Sequence, residues 1–454
     1  MNNNNTQNNT QNSSQNSSQN SKNGNQSSSL NGVVNWKKYV LRKLLVCIPL
    51  CLLILLMYHV SEKGRKYNGN APLFGQRCIF GIMSTVASIQ LYGPDRKTFQ
   101  EGFEEVQTSF QSVEKLCNIF QAGSELSRLN ATAFEKPFPC SDPLWELLCE
   151  ARKYYEISEG AFDVTITPLM QLWGFHRKRG SLPTEAEIAD ALSRTGLDKV
   201  IFDDNAHTVR FRVEGMSIDL GGIAKGWALD KAADGLKKQG FASGFLDLGG
   251  NVLCLDAPPP GRNAYRVGIR DPFRKDRSFA SAELLSEAVA TSGNYERYVV
   301  IDGRHCTHIM NPKTGKPVEN MISVSVIAPD GVSTDALSTA VFVNGIPFAE
   351  RMMKRFPQLR ILILSRDPEQ PEKLLLKTFG PGWRIDRMPE VPEGPEGNAE
   401  SGTSARKSGE ASEIPPCQRT RTDDPQRESF LNCFLPEKKL RVGAQNEKKM
   451  PGIS

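Results

Sequence analysis

The stretch RYVVIDGRHCTHIM, residues 297–310, decides the fold class of this chain. Two β-rich runs flank the dipeptide Asp302-Gly303, and Asp-Gly between such runs is the strongest two-residue signal for a β-hairpin. The next run, ISVSVIAP (322–329), predicts another strand, and LRILILS (359–365) predicts the one that completes the sheet. Because strands joined by tight hairpins are antiparallel, this region argues against a doubly wound parallel sheet.

Helical segments alternate with strand-like runs upstream of this hairpin. Helices are predicted over 97–119, over 142–158 with Asp142 as the cap, and over 223–240 with an end at Gly240. The strand-like runs are IMSTVASIQLYG (82–93, as the first strand), the start of GAFDVTITPLMQLWGF (160–175), the hairpin KVIFDDNAHTVRFRV (199–213), MSIDL (216–220), GFLDLGG (244–250), RVGIR (266–270) and AVATSG (288–293). Hairpins interspersed with helices predict an α+β domain with largely antiparallel sheets.

The two ends of the chain differ in composition from its middle. Residues 1–35 are almost entirely Asn, Gln, Ser and Thr, and residues 389–454 are rich in Pro, Glu, Ser, Gly and Arg. Such sequences bury too little apolar surface to offset the entropy of ordering, so disorder is predicted at both ends. The predicted folded domain spans residues 76–388 and is large enough for one domain or two packed subdomains.

An apolar segment precedes the predicted domain. LLVCIPLCLLILLMYHVS, residues 44–61, has 18 residues without a formal charge and follows four basic residues between positions 37 and 43. This length is just sufficient to cross the hydrocarbon core of a bilayer. A buried core helix is the alternative, and the basic flank favours the membrane. A cleaved secretory signal would need a small-x-small site after this segment, and none follows. A lipoprotein signal would need a small residue before its cysteine, and neither Cys47 nor Cys51 has one. We therefore predict an uncleaved transmembrane anchor.

The charge and the cysteines exclude two classes of site. The formal net charge of +5 is mild and spread along the chain, and no basic stripe is interleaved with aromatic residues, so no nucleic-acid partner is predicted. The ten cysteines form no CxxC pair, and Cys306 together with His308 is too little for a zinc site.

Two predicted helix starts contain residues that could bind a metal ion or a phosphate group. STDALSTAVFVNG (333–345) predicts the start of a short apolar helix with Asp335 and Thr339 on one face. The pair could supply two hard oxygen ligands, but helix capping would also explain Asp335. SIDLGGIAKGWALD (217–230) places Lys225 in the first turn of a helix after two glycines. This arrangement favours phosphate, or it is only a tight turn.

The order of the motifs is more specific than any one of them. In chain order they are IMSTV, GSELSRLN, GAFDVTITPLMQLWGF, DLGGIAKGWALD, TSGNYERY, HIMNPKTGKP and TDALSTAVF. This order resembles the ApbE family, the FAD:protein FMN transferases, over about residues 76–385.

The resemblance implies a two-lobed fold with FAD in the cleft between the lobes, and an activity that needs Mg²⁺. The expected reaction transfers FMN from FAD to a threonine or serine hydroxyl of a target protein, forms a phosphoester and releases AMP. The expected partner is an acceptor flavoprotein subunit of a membrane electron-transfer complex. With the anchor, this indicates the bacterial inner (cytoplasmic) membrane and a catalytic domain that faces the periplasm or cell exterior. FAD pyrophosphatase activity and non-catalytic flavin binding are the alternatives.

The resemblance also implies roles for individual residues. His308 matches the proposed base, which would otherwise be read as a structural histidine. The flavin-contacting positions are Met83, Phe120, Ala161, Phe162, Asp163, Asp219, Lys225 and Ile309. The magnesium positions are the side chains of Asp335 and Thr339 and the backbone carbonyls of Gly222 and Ser338. Phe120 stands where Tyr or Trp is more usual, which keeps stacking but removes a hydrogen bond. The resemblance favours chemistry over capping for the helix of residues 333–345.

Overall fold

The computed structural model describes residues 73–258 and 261–391. A strand already begins at Leu73, slightly before the predicted start of the domain at residue 76. The predicted disordered segment 1–35, the apolar segment 44–61 and residues 392–454 of the predicted tail lie outside the described residues. Within the described ranges, no helix is both long enough and apolar enough to cross a membrane.

The described residues form helices and strands in alternation. The helices are α1 (Arg96–Cys117), α2 (Glu125–Thr132), α3 (Asp142–Ile157), α4 (Thr167–Leu172), α5 (Glu185–Ser193), a 3₁₀ turn (Leu197–Lys199), α6 (Ala224–Lys238) and α7 (Gly331–Arg355). The strands are β1 (Leu73–Ile82), β2 (Thr85–Gly93), β3 (Phe138–Pro139), β4 (Val200–Asp203), β5 (Thr208–Phe211), β6 (Ser243–Leu248), β7 (Asn251–Cys254), β8 (Tyr265–Asp271), β9 (Arg274–Leu284), β10 (Ala288–Gly293), β11 (Tyr298–Ile301), β12 (Arg304–Thr307), β13 (Met310–Asn311), β14 (Lys316–Pro317), β15 (Met321–Ala328), β16 (Arg360–Arg366), β17 (Leu374–Phe379) and β18 (Trp383–Ile385).

An eight-stranded sheet organises the domain, in the order β1-β2-β6-β7-β10-β15-β16-β17. Every strand pair in the described ranges is antiparallel. The mixture of helices with antiparallel sheets confirms the predicted α+β class. The helix predicted to end at Gly240 also has the expected ending, since α6 ends at Lys238 and Gly240 has a φ of 85°.

Both faces of the main sheet are covered. Helices α6 and α7 pack on one face, where Trp227 and Phe342 join the same core as Val324 of β15. The three-stranded sheet β18-β9-β8 covers the other face, with Phe279 packed in one cluster with Ile327. Because β15 lies between these two layers, it is buried along its whole length, and a continuous run of Ile, Val and small residues suits it.

The hairpin predicted from Asp302-Gly303 is confirmed. Strands β11 and β12 pair in register from Tyr298 with Thr307 to Ile301 with Arg304. Asp302 and Gly303 both have positive φ, 49° and 74°, as a type I′ turn requires. The hairpin packs on α4 and α5 in a separate apolar cluster, whose members include Leu169, Trp173, Ile188, Ile301, Cys306 and Met310.

Two predicted strands are wrong, and in each case side chains take the place of a strand partner. The segment that begins GAFDV forms turns, because Asp163 Oδ1 accepts hydrogen bonds from Thr165 N at 2.8 Å and Thr165 Oγ1 at 2.6 Å. Pro168 then lies in the first turn of α4, where proline is tolerated. MSIDL belongs to no strand, because Ile218 makes both of its backbone hydrogen bonds with the side chain of Asn130, at 2.8 Å each.

Two helix and strand starts also differ from prediction. IMSTVASIQLYG contains the second strand instead of the first, because β1 precedes it and turns at Met83 and Ser84. Asp142 is the first helical residue of α3, and Ser141 is the N-cap. An aspartate in the first turn still complements the helix dipole, so the helix itself was predicted correctly.

Candidate active site

Helix α7 begins earlier than predicted, and its start shows that Asp335 is not the cap. Asp330 is the N-cap residue, and its Oδ1 accepts from Ser333 N at 2.7 Å. Asp230 of α6 accepts from the N–H groups of the first two helical residues at 2.7 and 2.9 Å. Two other carboxylates therefore satisfy three amides of this helix start that have no partner within the helix. Asp335 lies one turn further along, so capping does not explain it.

Asp335 faces the start of helix α6. Its Oδ2 accepts from Gly226 N at 3.0 Å, and its Oδ1 lies 3.3 Å from Lys225 Nζ. The side chain of Asp335 is 7% exposed and that of Lys225 is 28% exposed, so the ion pair lies at the boundary between core and solvent. The sequence suggested that the start of α6 binds phosphate. In the structure one of its amides, Gly226 N, instead donates to a carboxylate.

The close approach of α6 and α7 requires two glycines. A Cβ placed on Gly226 would overlap the carbonyl oxygen of Gly331, and a Cβ placed on Gly331 would overlap that of Gly226. With no side chain at either position the two backbones touch, and Asp335 reaches the Gly226 amide directly. The glycines therefore position the carboxylate against Lys225.

Three hydroxyl groups lie beside Asp335. Ser292 Oγ of β10 is 2.9 Å from Ser338 Oγ and 3.3 Å from Thr339 Oγ1. Ser338 Oγ donates to the carbonyl oxygen of Asp335 at 3.0 Å, and Thr339 Oγ1 lies 3.4 Å from the same oxygen. Ser338 lies inside α7, where its own carbonyl accepts an amide from the next turn and keeps one lone pair.

Gly222 brings the loop before α6 to this cluster. A Cβ on Gly222 would lie 3.2 Å from the ring of Phe162 and 3.9 Å from Thr339 Oγ1. A larger residue would therefore press on the Phe162 ring. Nearby, Asp219 Oδ1 accepts from Gly221 N at 2.8 Å, which shapes the turn between the two segments. The structure thus places Gly222 close to Thr339 and its neighbour Ser338, three positions predicted to bind magnesium.

His308 follows strand β12 and is oriented by the backbone of Arg297. Its N–H donates to the Arg297 carbonyl oxygen at 3.1 Å, and its Nδ1 lies 2.9 Å from the same oxygen. A carbonyl only accepts, so Nδ1 carries the hydrogen and Nε2 keeps a free lone pair. Burial, the charge of Arg297 and the charge of Lys225 lower the pKa of His308 to about 4. The imidazole is therefore neutral at neutral pH, with Nε2 as an acceptor.

Two of the predicted flavin positions lie in turns. Phe120 is 71% exposed, and its ring meets that of His176 edge-on at a centroid distance of 5.3 Å. Met83 occupies the β1–β2 turn with a φ of 46°, and its N–H donates to Glu114 Oε1 at 3.0 Å. A non-glycine residue with positive φ is uncommon and costs conformational energy. The hydrogen bond to Glu114 helps to hold Met83 in this conformation at the tip of the turn.

Four of the remaining predicted flavin positions are less accessible. Ala161, Phe162, Asp163 and Ile309 are all buried. Asp163 is committed to its turn with Thr165, and burial raises the pKa of its carboxyl group. The side chain at this position therefore shapes the loop that supports Gly222.

Sequence reasoning missed three polar residues of this region. Ser292 lies in the TSGNYERY motif, which the sequence flagged without a role for any one residue. His176 directly follows GAFDVTITPLMQLWGF, and its pKa is lowered by burial against the opposing effect of Asp219. Asp230 closes the DLGGIAKGWALD motif and accepts hydrogen bonds from the first two amides of α7. The signal in each case was a polar residue inside or beside a motif, but its partner is distant in sequence.

The donor set suits a small, hard cation. It consists of one carboxylate, a threonine hydroxyl and two carbonyl positions, and Mg²⁺ prefers oxygen ligands while taking only one or two from carboxylates. No cluster of three His, Cys, Asp or Glu side chains suited to a metal occurs within residues 73–258 and 261–391. A cation here would thus depend on other oxygen ligands, such as phosphate and water. The residues present fit Mg²⁺ on those terms.

Comparisons with known proteins agree on one family. The model of the ApbE family matches residues 83–363. An FAD:protein FMN transferase of Salmonella typhimurium is 29% identical over 293 residues, which are 63% of this chain and 83% of that protein. One of Treponema pallidum is 31% identical over 317 residues, 67% of this chain and 85% of the relative.

Solved structures show the same fold. The crystal structure of an ApbE protein from Thermotoga maritima has a TM-score of 0.59 at 32% identity and covers 64% of this chain and 94% of its own. The flavin transferase ApbE from Vibrio cholerae has a TM-score of 0.59 at 27% identity, with coverages of 68% and 97%. The antiparallel α+β architecture described above therefore has experimental counterparts.

Proposed function

The chain belongs to the ApbE family, and from this premise we propose that it is an enzyme that transfers FMN from FAD to a hydroxyl of a target protein. One observation carries the proposal. Asp335 does not cap its helix, and it lies one helical turn from Thr339 and in contact with Lys225. A carboxylate, a hydroxyl and an ammonium group at one point suit the pyrophosphate of a dinucleotide and its divalent cation.

The reaction proposed here breaks one phosphoanhydride bond of FAD. The oxygen of a threonine or serine hydroxyl attacks the FMN-side phosphorus, the bond to the bridging oxygen breaks, and AMP leaves. FMN remains on the target protein as a phosphoester. Mg²⁺, when bound by Asp335, Thr339 and the carbonyls of Gly222 and Ser338, would neutralise charge on the pyrophosphate.

His308 is the proposed base. Its neutral state and the free lone pair on Nε2 allow it to accept the proton that the attacking hydroxyl loses. A pKa of about 4 makes the free imidazole a weak base. Since Arg297 and Lys225 contribute to that low value, an anionic pyrophosphate beside them would offset their charge and raise the pKa of His308 toward its ordinary range.

The flavin is proposed to lie against the loop positions that the family resemblance implies. Phe120 offers an exposed ring for the isoalloxazine, and Met83 is held at a turn tip. Ile309 follows His308 directly, so it places an apolar side chain beside the base. Ala161, Phe162 and Asp163 lie on the loop that Gly222 packs against, and Asp219 lies on the loop that carries Gly222. All four would line the proposed flavin site.

Hydrolysis of FAD to FMN and AMP is a second candidate for the same groups. Part of the Lys225 side chain is exposed, so water has access to the centre when no acceptor is bound. Binding of flavin without turnover is disfavoured, because the Asp335 and Thr339 pair and the oriented His308 are all present.

The test combines purified full-length protein, FAD and Mg²⁺ with a purified flavoprotein subunit of a membrane electron-transfer complex. Flavin fluorescence that stays with the acceptor on a denaturing gel supports transfer. FMN and AMP release without an acceptor measures hydrolysis. Intact FAD under both conditions contradicts the enzyme assignment.

The apolar segment at 44–61 supports a proposal about location. We propose that it anchors the enzyme in the bacterial inner membrane, with the catalytic domain facing the periplasm or cell exterior, beside a membrane-bound acceptor. Carbonate washing should leave the full-length protein in the membrane fraction, and protease added to spheroplasts should cleave the domain. Release by carbonate would contradict the anchor, and protection from protease would contradict the orientation.

A further inference from the structure

Ser292 connects the main sheet to the helix that carries the proposed cation site. It lies on β10, and its hydroxyl reaches across to both Ser338 and Thr339 of α7, at 2.9 and 3.3 Å. The neighbouring residue on the same strand, Thr291, points elsewhere and contacts Ser325 Oγ at 2.8 Å. Ser292 is thus the residue of this strand whose hydroxyl touches the α7 hydroxyls.

The directions of these hydrogen bonds follow from the number of hydrogens. Ser338 Oγ donates its single hydrogen to the Asp335 carbonyl oxygen at 3.0 Å. In the contact between Ser338 and Ser292, the donor must therefore be Ser292. That commits the only hydroxyl hydrogen of Ser292. The remaining contact, with Thr339, requires Thr339 to be the donor.

These donor and acceptor directions determine whether Thr339 Oγ1 turns its hydrogen or its lone pairs toward a cation. Its hydrogen points to Ser292 Oγ at 3.3 Å, because the Asp335 carbonyl oxygen, at the longer distance of 3.4 Å, already accepts from Ser338. The lone pairs of Oγ1 are then directed away from Ser292. A hydroxyl whose hydrogen pointed toward the cation would repel it, whereas one held in this way is an acceptor only.

We propose that Ser292 is a positioning residue that orients the Thr339 hydroxyl as a ligand for the divalent cation. The inference rests on the proposed function, because it concerns the same site. It assigns Ser292 no contact with the cation or with FAD. Its effect passes through Thr339, so it should change the affinity for the cation more than the affinity for FAD.

The experiment measures cation binding directly. Mn²⁺ replaces Mg²⁺, and free Mn²⁺ is followed by electron paramagnetic resonance as the FAD-loaded, full-length protein is added. Ser292→Ala should weaken Mn²⁺ binding by about fivefold to tenfold, the effect of losing one ordering hydrogen bond. FAD affinity, measured by calorimetry without a divalent cation, and the melting temperature should change little. Ser292→Thr keeps the hydroxyl and should bind Mn²⁺ nearly as the wild type does.

Ser325→Ala is the matched control. It removes a buried hydroxyl from the adjacent strand β15 and breaks a hydrogen bond of similar length, without touching α7 hydroxyls. Its Mn²⁺ affinity should equal that of the wild type.

Three results would overturn the inference about Ser292: wild-type Mn²⁺ affinity in Ser292→Ala, a Ser292→Thr protein as weak as Ser292→Ala, or an equal loss in Ser325→Ala. A further result would distinguish a failure of the proposed cation site from a failure of the inference about Ser292 alone. If the FAD-loaded wild-type protein binds no Mn²⁺, the cation site itself is wrong, and the role of Ser292 is wrong with it.

Discussion

Lys225 Nζ lies 3.3 Å from Asp335 Oδ1, although the two residues are 110 positions apart in the sequence. The contact joins the first turn of α6 to the second turn of α7. It exists because Gly226 and Gly331 let the two helix backbones touch. The same contact offers a direct way to separate a catalytic carboxylate from a structural one.

Asp335→Asn should abolish FMN transfer while leaving the fold intact. The amide oxygen of Asn can still accept from Gly226 N, but it lacks the charge that a divalent cation requires. We expect a loss of activity of about 100-fold or more. Transfer measured against Mg²⁺ concentration, together with the melting temperature, checks this expectation.

Asp330→Ala is the matched comparison for Asp335. It removes the true N-cap of α7, so it should lower stability by about 1 kcal/mol and leave the dependence on Mg²⁺ unchanged. If Asp335→Asn instead behaved like Asp330→Ala, with reduced stability and normal transfer, the proposed cation site would be wrong.

Gly226→Ala should damage both stability and activity. The added methyl group would overlap the Gly331 carbonyl oxygen, which belongs to helix backbone that cannot move aside alone. We expect a loss of about 3 kcal/mol in the free energy of unfolding, typical of a severe overpacking change. Urea denaturation measures it.

Gly180→Ala is the control, because no atom lies within 4 Å of a Cβ built there. Its stability should be near that of the wild type. Near-normal stability of Gly226→Ala would mean that the two helices are not in backbone contact in solution.

His308 should remain neutral until the pH falls well below its usual titration range. NMR of the free protein should show the imidazole titrating near pH 4, since its pKa is lowered to about 4. Lys225→Met should raise that pKa, because the charge of Lys225 contributes to the shift. Lys231→Met, on the same helix but paired with Glu146, should not. Titration of His308 at its ordinary value would contradict the burial of this site.

The pH dependence of stability follows from the same shift. A histidine whose pKa is lower in the folded state than in the unfolded state binds fewer protons when folded. Its contribution to stability is therefore fully present above about pH 6.5, the unfolded value, and is lost as the pH falls from there toward about 4. Urea denaturation between pH 7.5 and 4.5 should show a smaller loss in His308→Gln than in the wild type.

Phe120→Ala should weaken FAD binding without loss of stability. The ring is 71% exposed and forms a T-shaped contact with His176, so its removal leaves no cavity in the core. Loss of one stacking partner should cost about 1 kcal/mol of binding. Phe80 is equally exposed, at 71%, and Phe80→Ala should bind FAD normally. Equal FAD affinity in the two variants, measured by flavin fluorescence, would remove Phe120 from the site.

FAD should bind more tightly than FMN. The centre formed by Lys225 and Asp335 is proposed to bind the pyrophosphate next to the AMP half of FAD, and FMN lacks both. Calorimetry with Mg²⁺ present measures both affinities, and Lys225→Met should narrow the difference. Equal affinities in the wild-type protein would count against the placement of the dinucleotide.

Local patterns in the sequence predicted much of the fold, and distant contacts account for the errors. The Asp302-Gly303 hairpin was predictable because the turn chemistry lies in adjacent residues. The absence of a strand at MSIDL was not predictable, because the backbone of this segment pairs with the Asn130 side chain, 88 positions away. A period-two pattern indicates an extended backbone but does not show what will pair with it.

The candidate site shows the same limit. The motif order led to Asp335, Thr339 and Lys225, which the structure brings together. It could not distinguish the cap from the ligand in STDALSTAVFVNG, because the cap, Asp330, lies before that stretch and Asp230 assists it from α6. Ser292 was also hidden, since its role depends on the packing of β10 against α7.

The pairing of Asp335 with Lys225 has a consequence for the order in which the proposed site fills. Within this pair the carboxylate and ammonium charges cancel, so the pair by itself offers a cation little net attraction. A dinucleotide that draws Lys225 toward its pyrophosphate would free Asp335 and add negative charge at the same time. Thermodynamic linkage then makes the effect reciprocal: the factor by which FAD tightens Mg²⁺ binding must equal the factor by which Mg²⁺ tightens FAD binding.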